Sequence, residues 1–117
     1  MRRDMNLVKL ILEKIEAECS DTTGCAISPS SFPEYTASDV HGHARLIIER
    51  GLATGTMTRA GARIANLTWE GHDFLDNSRN STVWQATMKA AGDLSFGVFR
   101  KVLEAVATQV ALKNIGM

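Results

Sequence analysis

The sequence predicts a mainly α protein with a small β-hairpin, in which a winged-helix-like domain is followed by C-terminal helices. An amphipathic helix stops at Gly51-Leu52, two strand-like runs follow without any acidic residue, and a new helix begins after Leu67-Thr68. This order is that of the second half of a winged-helix domain, read from apolar periodicity and glycine positions. We place the winged-helix-like domain at residues 1–80. Residues 81–117 form a C-terminal helical extension of the same compact unit.

Length and composition favour one folded domain without a membrane span. The chain has 117 residues, of which 44% are hydrophobic, which is enough for a core. No apolar run approaches the roughly 20 residues that cross a bilayer. Charged residues interrupt the apolar positions near the N-terminus, unlike those of a signal peptide. We therefore expect a cytoplasmic protein, in which Cys19 and Cys25 are two free thiols.

The charge is balanced overall but segregated along the chain. Thirteen basic and thirteen acidic side chains give a formal net charge of zero, which weakens a purely electrostatic case for nucleic-acid binding. Residues 50–69 nevertheless contain three arginines and no acid, whereas residues 70–76 contain three acids and neither lysine nor arginine. The predicted hairpin is thus locally basic, which favours an anionic partner.

The first helix is predicted over residues 4–18. Asp4 is a suitable N-cap, and apolar residues recur at helical spacing on one face: Leu7, Leu10, Ile11 and Ile15. Residues 19–33 then concentrate serine, threonine, glycine and both prolines, which indicates a long loop. Residues 34–36 fit a short strand.

The second helix is predicted over residues 37–50. Thr36 and Asp39 form a weak capping pattern at its start, and Gly51 supplies a left-handed residue at its end. Its apolar stripe consists of Val40, Ala44, Ile47 and Ile48. His43 falls on this stripe and is expected to be a hydrogen-bonded core histidine.

The outward face of the second helix is a candidate recognition surface. It carries Ser38, His41, Gly42, Arg45 and Glu49. In a recognition helix this face enters the major groove of DNA. The alternative is an ordinary solvated face on which Arg45 and Glu49 pair four residues apart.

The wing is predicted as two strands, residues 52–57 and 63–67, with Gly61 supplying the positive φ of the connection. Arg59 and Arg63 lie at or near its tip, where arginine contacts phosphate or enters the minor groove. The predicted nucleic-acid-binding residues are therefore Ser38, His41, Arg45, Arg59 and Arg63.

Three helices complete the chain. Thr68 caps the third, in which Trp69, Phe74 and Leu75 are expected to pack on the sheet and the first helix. The fourth spans residues 82–91, and both Trp69 and Trp84 are expected to be buried. Ser95 caps the last helix, which runs to about residue 114.

The last helix carries an apolar seam at coiled-coil spacing. Its residues step by three and four: Phe96, Phe99, Leu103, Val106 and Val110. A seam of this length favours a homodimer interface, because continuous apolar patches are rarely left in water. The alternative is that the seam covers the protein's own core.

No set of residues predicts catalysis, a metal site or a cofactor. His41 and His43 are two positions apart, on nearly opposite sides of a helix, so they do not form a metal-binding pair. Glycine-rich phosphate loops, nucleophile elbows and CxxC motifs are absent from the sequence. We therefore expect a protein that is not an enzyme.

Three parts of the sequence carry a family resemblance. They are Arg3-Asp4-Met5-Asn6-Leu7-Val8-Lys9, the spaced set Val40, His43, Arg45-Leu46-Ile47 and Gly51-Leu52, and Leu67-Thr68-Trp69-Glu70-Gly71-His72-Asp73-Phe74-Leu75-Asp76 with Thr82-Val83-Trp84 after it. Together they resemble the domain of unknown function 2513 (DUF2513) family. The resemblance implies a winged-helix-like protein of bacteria, phages and prophages, and it implies no activity or catalytic residue.

Two functions fit these observations. The first is a phage or prophage DNA-binding regulator that acts as a homodimer in the bacterial cytoplasm and binds double-stranded DNA with the second helix and the wing. The second is a protein-binding winged-helix module, such as a phage accessory or counter-defence (anti-CRISPR-like) factor that contacts a host protein. The basic wing favours DNA. The zero net charge and the lack of a separate helix before the recognition helix favour a protein partner.

Overall fold

A computed structural model describes residues 2–19 and 24–114 of the protein. This part of the chain contains five α-helices and a small antiparallel sheet, which confirms the prediction of a mainly helical protein. In chain order the elements are α1 Met5–Glu18, β1 Cys25–Ile27, a 3₁₀ turn at Pro29–Ser31, α2 Ala37–Glu49, β2 Ala53–Thr58, β3 Gly61–Leu67, α3 Trp69–Arg79, α4 Ser81–Ala91 and α5 Phe96–Asn114.

The sheet has three strands in the order β1-β3-β2. The predicted hairpin forms its larger part, and β1 adds an edge strand in a segment where the sequence predicts only loop. Cys25 is opposite Ile64 and Ile27 is opposite Ala62 in this pairing. The short strand predicted at residues 34–36 is wrong, because the Tyr35 amide instead donates to the Phe32 carbonyl in a turn.

The chain divides into two compact units, Met1–His72 and Asp73–Met117. In the first unit α1 and α2 pack on each other and on the sheet. Their predicted apolar stripes are buried except at Leu10, which is 40% exposed, and Ile48, which is half-buried. The core of this unit is formed by Leu7, Val8, Ile11, Leu12, Ile15, Ile27, Val40, Ala44, Ile47, Ala62 and Ile64.

His43 is fully buried in this core, and the prediction of a hydrogen-bonded core histidine is confirmed. Its Nδ1 lies 2.7 Å from the Asp39 carbonyl oxygen, which can only accept. Its Nε2 accepts from the Asp4 backbone N–H at 2.8 Å. The ring is thus the neutral tautomer protonated on Nδ1, and it connects α2 to the first residue before α1.

The two cysteines form a disulfide, which corrects the prediction of free thiols. Cys19 follows α1 directly and Cys25 begins β1, and pairing of β1 with β3 brings their α-carbons to 4.9 Å. That separation lies within the range that a disulfide spans. The separation of the two cysteines can be read from the sequence, but the pairing of β1 with β3 cannot.

The second unit is built around an aromatic cluster. The Phe74 ring lies 6.3 Å from Trp84 and 5.9 Å from Phe96, and Trp84 lies 5.4 Å from Phe99, all between ring centroids. These separations suit edge-to-face and offset packing. The predicted burial of Trp84, at 7% exposure, is confirmed. Phe74 and Leu75 are also buried, and Phe74 packs on the rings of this cluster.

This cluster includes part of the predicted dimer seam. Phe96, Phe99 and Leu103 are buried within the chain, where α4 packs beside α5. They therefore do not form an exposed seam between copies, whereas Val106 and Val110 remain half-buried. A homodimer stays a prediction, and its contact has to use residues other than the buried Phe96, Phe99 and Leu103.

The predicted burial of Trp69 is wrong, since its side chain is 83% exposed. The face of α3 that turns inward carries Gly71, Phe74, Leu75 and Ser78, all buried. Trp69 precedes Gly71 by two residues, which is about 200° around the helix at 3.6 residues per turn. The helix therefore directs Trp69 into solvent.

Among residues 2–19 and 24–114, the helices lack the combined length and hydropathy needed to cross a membrane.

Candidate nucleic-acid interface

The ends of α2 are defined by its caps, and its buried stripe determines which face points outward. The Thr36 hydroxyl accepts from the Asp39 backbone N–H at 3.1 Å, which confirms the predicted cap. At the other end Gly51 has φ +74°, the left-handed conformation predicted for it. With Val40, Ala44 and Ile47 buried, the Ser38–His41–Arg45 face lies on the other side, where Ser38 and Arg45 are exposed and His41 is half-buried.

The hairpin turn lies close to this face. β2 ends at Thr58 and β3 begins at Gly61, so Arg59 occupies the connection and is exposed. Gly61 has φ +146°, and a Cβ at this position would lie 2.1 Å from the Ile27 carbonyl oxygen. The Thr58 hydroxyl donates to the Gly61 carbonyl at 3.0 Å. Gly61 is thus required both for the turn and for the close approach of β1.

A groove of about 630 Å³ separates α2, the 3₁₀ turn and the hairpin tip. Four of the five predicted nucleic-acid-binding residues line it, although they come from two separate segments. The lining residues are Pro29, Ala37, Ser38, His41, Gly42, Arg45, Leu46, Glu49 and Arg59. We call this surface the α2–hairpin groove. A second concavity shares His41, Arg45 and Arg59 with it and reaches Met57 and Thr58 on β2.

Arg63, the fifth predicted nucleic-acid-binding residue, does not line this groove. It is exposed on β3 between the buried residues Ala62 and Ile64 and pairs with Thr56, which is also exposed. Alternate residues of a strand face opposite sides of a sheet. Arg63 therefore points away from the face on which Ala62 and Ile64 contribute to the core, and it lines a different depression with Gly24, Thr56 and Ala65.

The electrostatics of the groove depend on two arginines. Neither Arg45 nor Arg59 forms an ion pair with any residue that the structure describes, and the predicted alternative pair of Arg45 with Glu49 is not formed. Glu49 is the one carboxylate in the lining. Both arginines are exposed, and exposed guanidinium groups are suited to bind phosphate.

Among the described residues, no three His, Cys, Asp or Glu side chains come together closely enough to hold a metal ion. His41 lines the groove as a single imidazole, while His43 is committed to its two hydrogen bonds in the core.

Trp69 is the exposed residue whose position the sequence analysis missed. It begins α3 and lies beside His72, with ring centroids 6.4 Å apart. His72 Nδ1 in turn lies 4.0 Å from a carboxylate oxygen of Glu16 on α1. The signal in the sequence was spacing: Trp69 lies two residues before Gly71 and five before Phe74, which places it on the opposite side of the helix from both.

Comparison with known proteins identifies a family. Residues 2–97 match the model described as "Hypothetical protein (DUF2513)". The chain is also 30% identical over 118 residues to a Haemophilus influenzae (strain Rd) protein named "Uncharacterized protein", covering 94% of this chain and 98% of that relative. No solved structure matches the chain. The match over most of the sequence, which confirms the resemblance noted above, shows that the protein belongs to the DUF2513 family.

Proposed function

We propose that the protein is a winged-helix-like DNA-binding regulator of phage or prophage type that contacts duplex DNA through the α2–hairpin groove. The observation that carries this proposal is the convergence of Ser38, His41, Arg45 and Arg59 on one concave surface. These residues come from α2 and from the hairpin, the two elements that a winged helix presents to a duplex. Both arginines are without an ion-pair partner in the described chain.

The topology of the first unit supports the winged-helix assignment. This unit contains a helix, a strand, a second helix and a hairpin, in that order. The second strand of the hairpin lies between the other two strands, so the sheet order is β1-β3-β2. A 3₁₀ turn at Pro29–Ser31 stands where a winged helix ordinarily has another helix before the recognition helix. Pro29 of this turn lines the groove. A three-residue turn therefore takes the place of the helix that precedes the recognition helix in the common form.

In the proposed complex α2 faces the major groove and the hairpin tip follows the phosphate backbone. The major groove of B-DNA is about 12 Å wide and admits one helix. Ser38, His41 and Arg45 then face base edges, and Arg59 contacts phosphate. Arg63, on the other side of the sheet, takes no part in this contact.

Such a complex is weak for a single copy, because few phosphates are neutralised. Each neutralised phosphate contributes a slope of about −0.9 to the dependence of log K on log salt. We propose that two copies bind together in the bacterial cytoplasm, each contributing one groove. The contact between copies has to use residues other than the buried part of the α5 seam.

The direct test is binding to a fluorescently labelled 20-base-pair duplex of random sequence, followed by anisotropy from low to physiological salt. We expect saturable binding at low salt that weakens steeply as salt is added, because the proposed contacts are electrostatic. A parent protein that leaves the anisotropy unchanged at low salt overturns the proposal.

A second candidate function, protein binding, is favoured by one observation, the exposure of Trp69. Tryptophan is enriched among the residues that dominate the binding energy of protein interfaces. Its surface is distinct from the α2–hairpin groove.

A further inference from the structure

Trp69 exposes more of its side chain than any other large hydrophobic residue of the described chain. It is 83% exposed, whereas Leu112 is 56%, Leu94 50%, Val98 44% and Leu10 40% exposed. The first unit buries its core without the indole. The ring therefore presents a large apolar face to water without contributing to packing, which is the property of a residue that anchors an interface.

The backbone beneath Trp69 is held firmly. The Thr68 hydroxyl accepts from the Gly71 N–H at 3.0 Å and donates to the Gly51 carbonyl. The Thr68 N–H donates to the Leu52 carbonyl at 3.0 Å. The backbone that carries Trp69 therefore needs little further ordering when a partner binds.

Trp69 has an acidic neighbour in sequence, and a second carboxylate lies beyond His72. Glu70, the next residue, is exposed. On the other side His72 lies 6.4 Å from Trp69, and the Glu16 carboxylate lies 4.0 Å from the His72 ring. Carboxylates around an aromatic face repel phosphate and attract a cation, and a cation above an indole gains further from the ring quadrupole.

We propose that Trp69, Glu70, His72 and Glu16 form a docking site for a protein segment that presents an arginine or lysine side chain. The cation stacks on the exposed indole and pairs with the neighbouring carboxylates. Guanidinium suits this arrangement best, because it stacks on aromatic faces and is weakly hydrated. We call this surface the Trp69 site.

The Trp69 site is separate from the α2–hairpin groove. Arg59 lies at the closed end of the hairpin, whereas Trp69 follows the open end, where Ala53 pairs with Leu67. Ala53 and Thr58, the two ends of β2, are five steps apart along the strand, a length of about 17 Å at 3.3 Å per residue. One surface is basic and the other acidic, so they select partners of opposite charge.

The chain contains two tryptophans, one exposed and one buried, which makes the site measurable by spectroscopy. The probe is a synthetic Gly-Ser-Arg repeat peptide, and the control peptide carries glutamine in place of each arginine. Indole N–H signals of the unaltered, ¹⁵N-labelled protein are followed by NMR during titration. Trp69→Phe assigns the two signals, and because Trp69 is exposed this variant retains the fold.

We expect the arginine peptide, and not the glutamine peptide, to shift the Trp69 signal saturably while the Trp84 signal stays in place. The double variant Glu16→Gln, Glu70→Gln should weaken binding by roughly two- to fivefold, as loss of a weak cation contact predicts. Trp69→Ala should weaken it at least as much, with unchanged circular dichroism.

The proposal is overturned if both peptides act alike, if Trp69→Ala leaves the affinity for the arginine peptide unchanged, or if duplex DNA and not the peptide shifts the Trp69 signal. Failure of the protein to bind duplex DNA does not bear on this result, because that assay reports on the α2–hairpin groove.

Discussion

A Cβ built on Gly71 would lie 1.9 Å from the carbonyl oxygen of Leu52. This contact brings the first turn of α3 against the residue that ends the α2–β2 connection, and backbone atoms form both sides of it. The same Leu52 carbonyl accepts from the Thr68 N–H at 3.0 Å. Gly71 is therefore required because a side chain does not fit between the two backbones. Its backbone conformation is that of an ordinary helix and does not itself require glycine.

Gly71→Ala should destabilise the protein by about 1–3 kcal/mol or more, as overpacking does. The added methyl cannot be relieved by a rotamer change, because the opposing atom belongs to the backbone. Gly97→Ala is the matched control, since a Cβ there meets nothing within 4 Å. It should stabilise α5 by up to about 1 kcal/mol. Urea denaturation measures both, and equal midpoints for the two variants would show that the Gly71 contact is not close.

His43→Ala should destabilise the first unit by about 2–4 kcal/mol. The variant leaves a cavity and removes the acceptor for the Asp4 N–H. His41→Ala, two residues earlier on the half-buried groove face, should change stability by less than about 0.5 kcal/mol. A chemical denaturation series measures the two side by side, and a His43→Ala midpoint equal to that of His41→Ala would contradict the buried hydrogen-bonded ring.

The two tryptophans should respond oppositely to truncation. Trp84→Ala removes a ring packed against Phe74 and Phe99 and should cost about 3–5 kcal/mol. Trp69→Ala should cost less than about 0.5 kcal/mol, because the indole is exposed. Thermal melting followed by circular dichroism distinguishes them. A large loss in Trp69→Ala would show that the indole packs on the protein.

Leu103→Glu should disrupt the packing of α4 on α5, since it places an unpaired carboxylate in a fully buried position. The cost should exceed about 3 kcal/mol. Val98→Glu, on the exposed side of the same helix, should leave stability within about 0.5 kcal/mol. Circular dichroism and sedimentation of the parent and both variants test this. A dimeric parent together with a folded, monomeric Leu103→Glu would instead support the α5 seam as an interface between copies.

Helix boundaries were predictable because their signals are local. The caps at Asp4, Thr36, Thr68 and Ser95 all accept backbone N–H bonds within their own first turn. Strand β1 was not predictable, because three residues become a strand only by pairing with β3, far along the chain. The disulfide depends on the same pairing.

The site was predictable in part. Helical spacing placed Ser38, His41 and Arg45 on one face, and this is where they lie. In a strand, Arg63 lies on the opposite face from Ala62 and Ile64. The sequence does not show which of these faces lies beside α2, because that depends on how α2 packs against the sheet. Trp69 was misplaced because its residue type was given more weight than its position: it shares a helix face with Asp73 and Asp76, both exposed.

The most direct test of the proposed DNA contact compares Arg59→Ala with Arg63→Ala in binding to random-sequence duplex across a salt series. The two variants lose the same side chain from the same hairpin, one beside α2 and one on the opposite face of the sheet. We expect Arg59→Ala to weaken binding and to reduce the salt slope by about 0.9, while Arg63→Ala matches the parent. Equal losses in both variants, or an unchanged affinity in Arg59→Ala, would contradict the proposal that the α2–hairpin groove binds DNA.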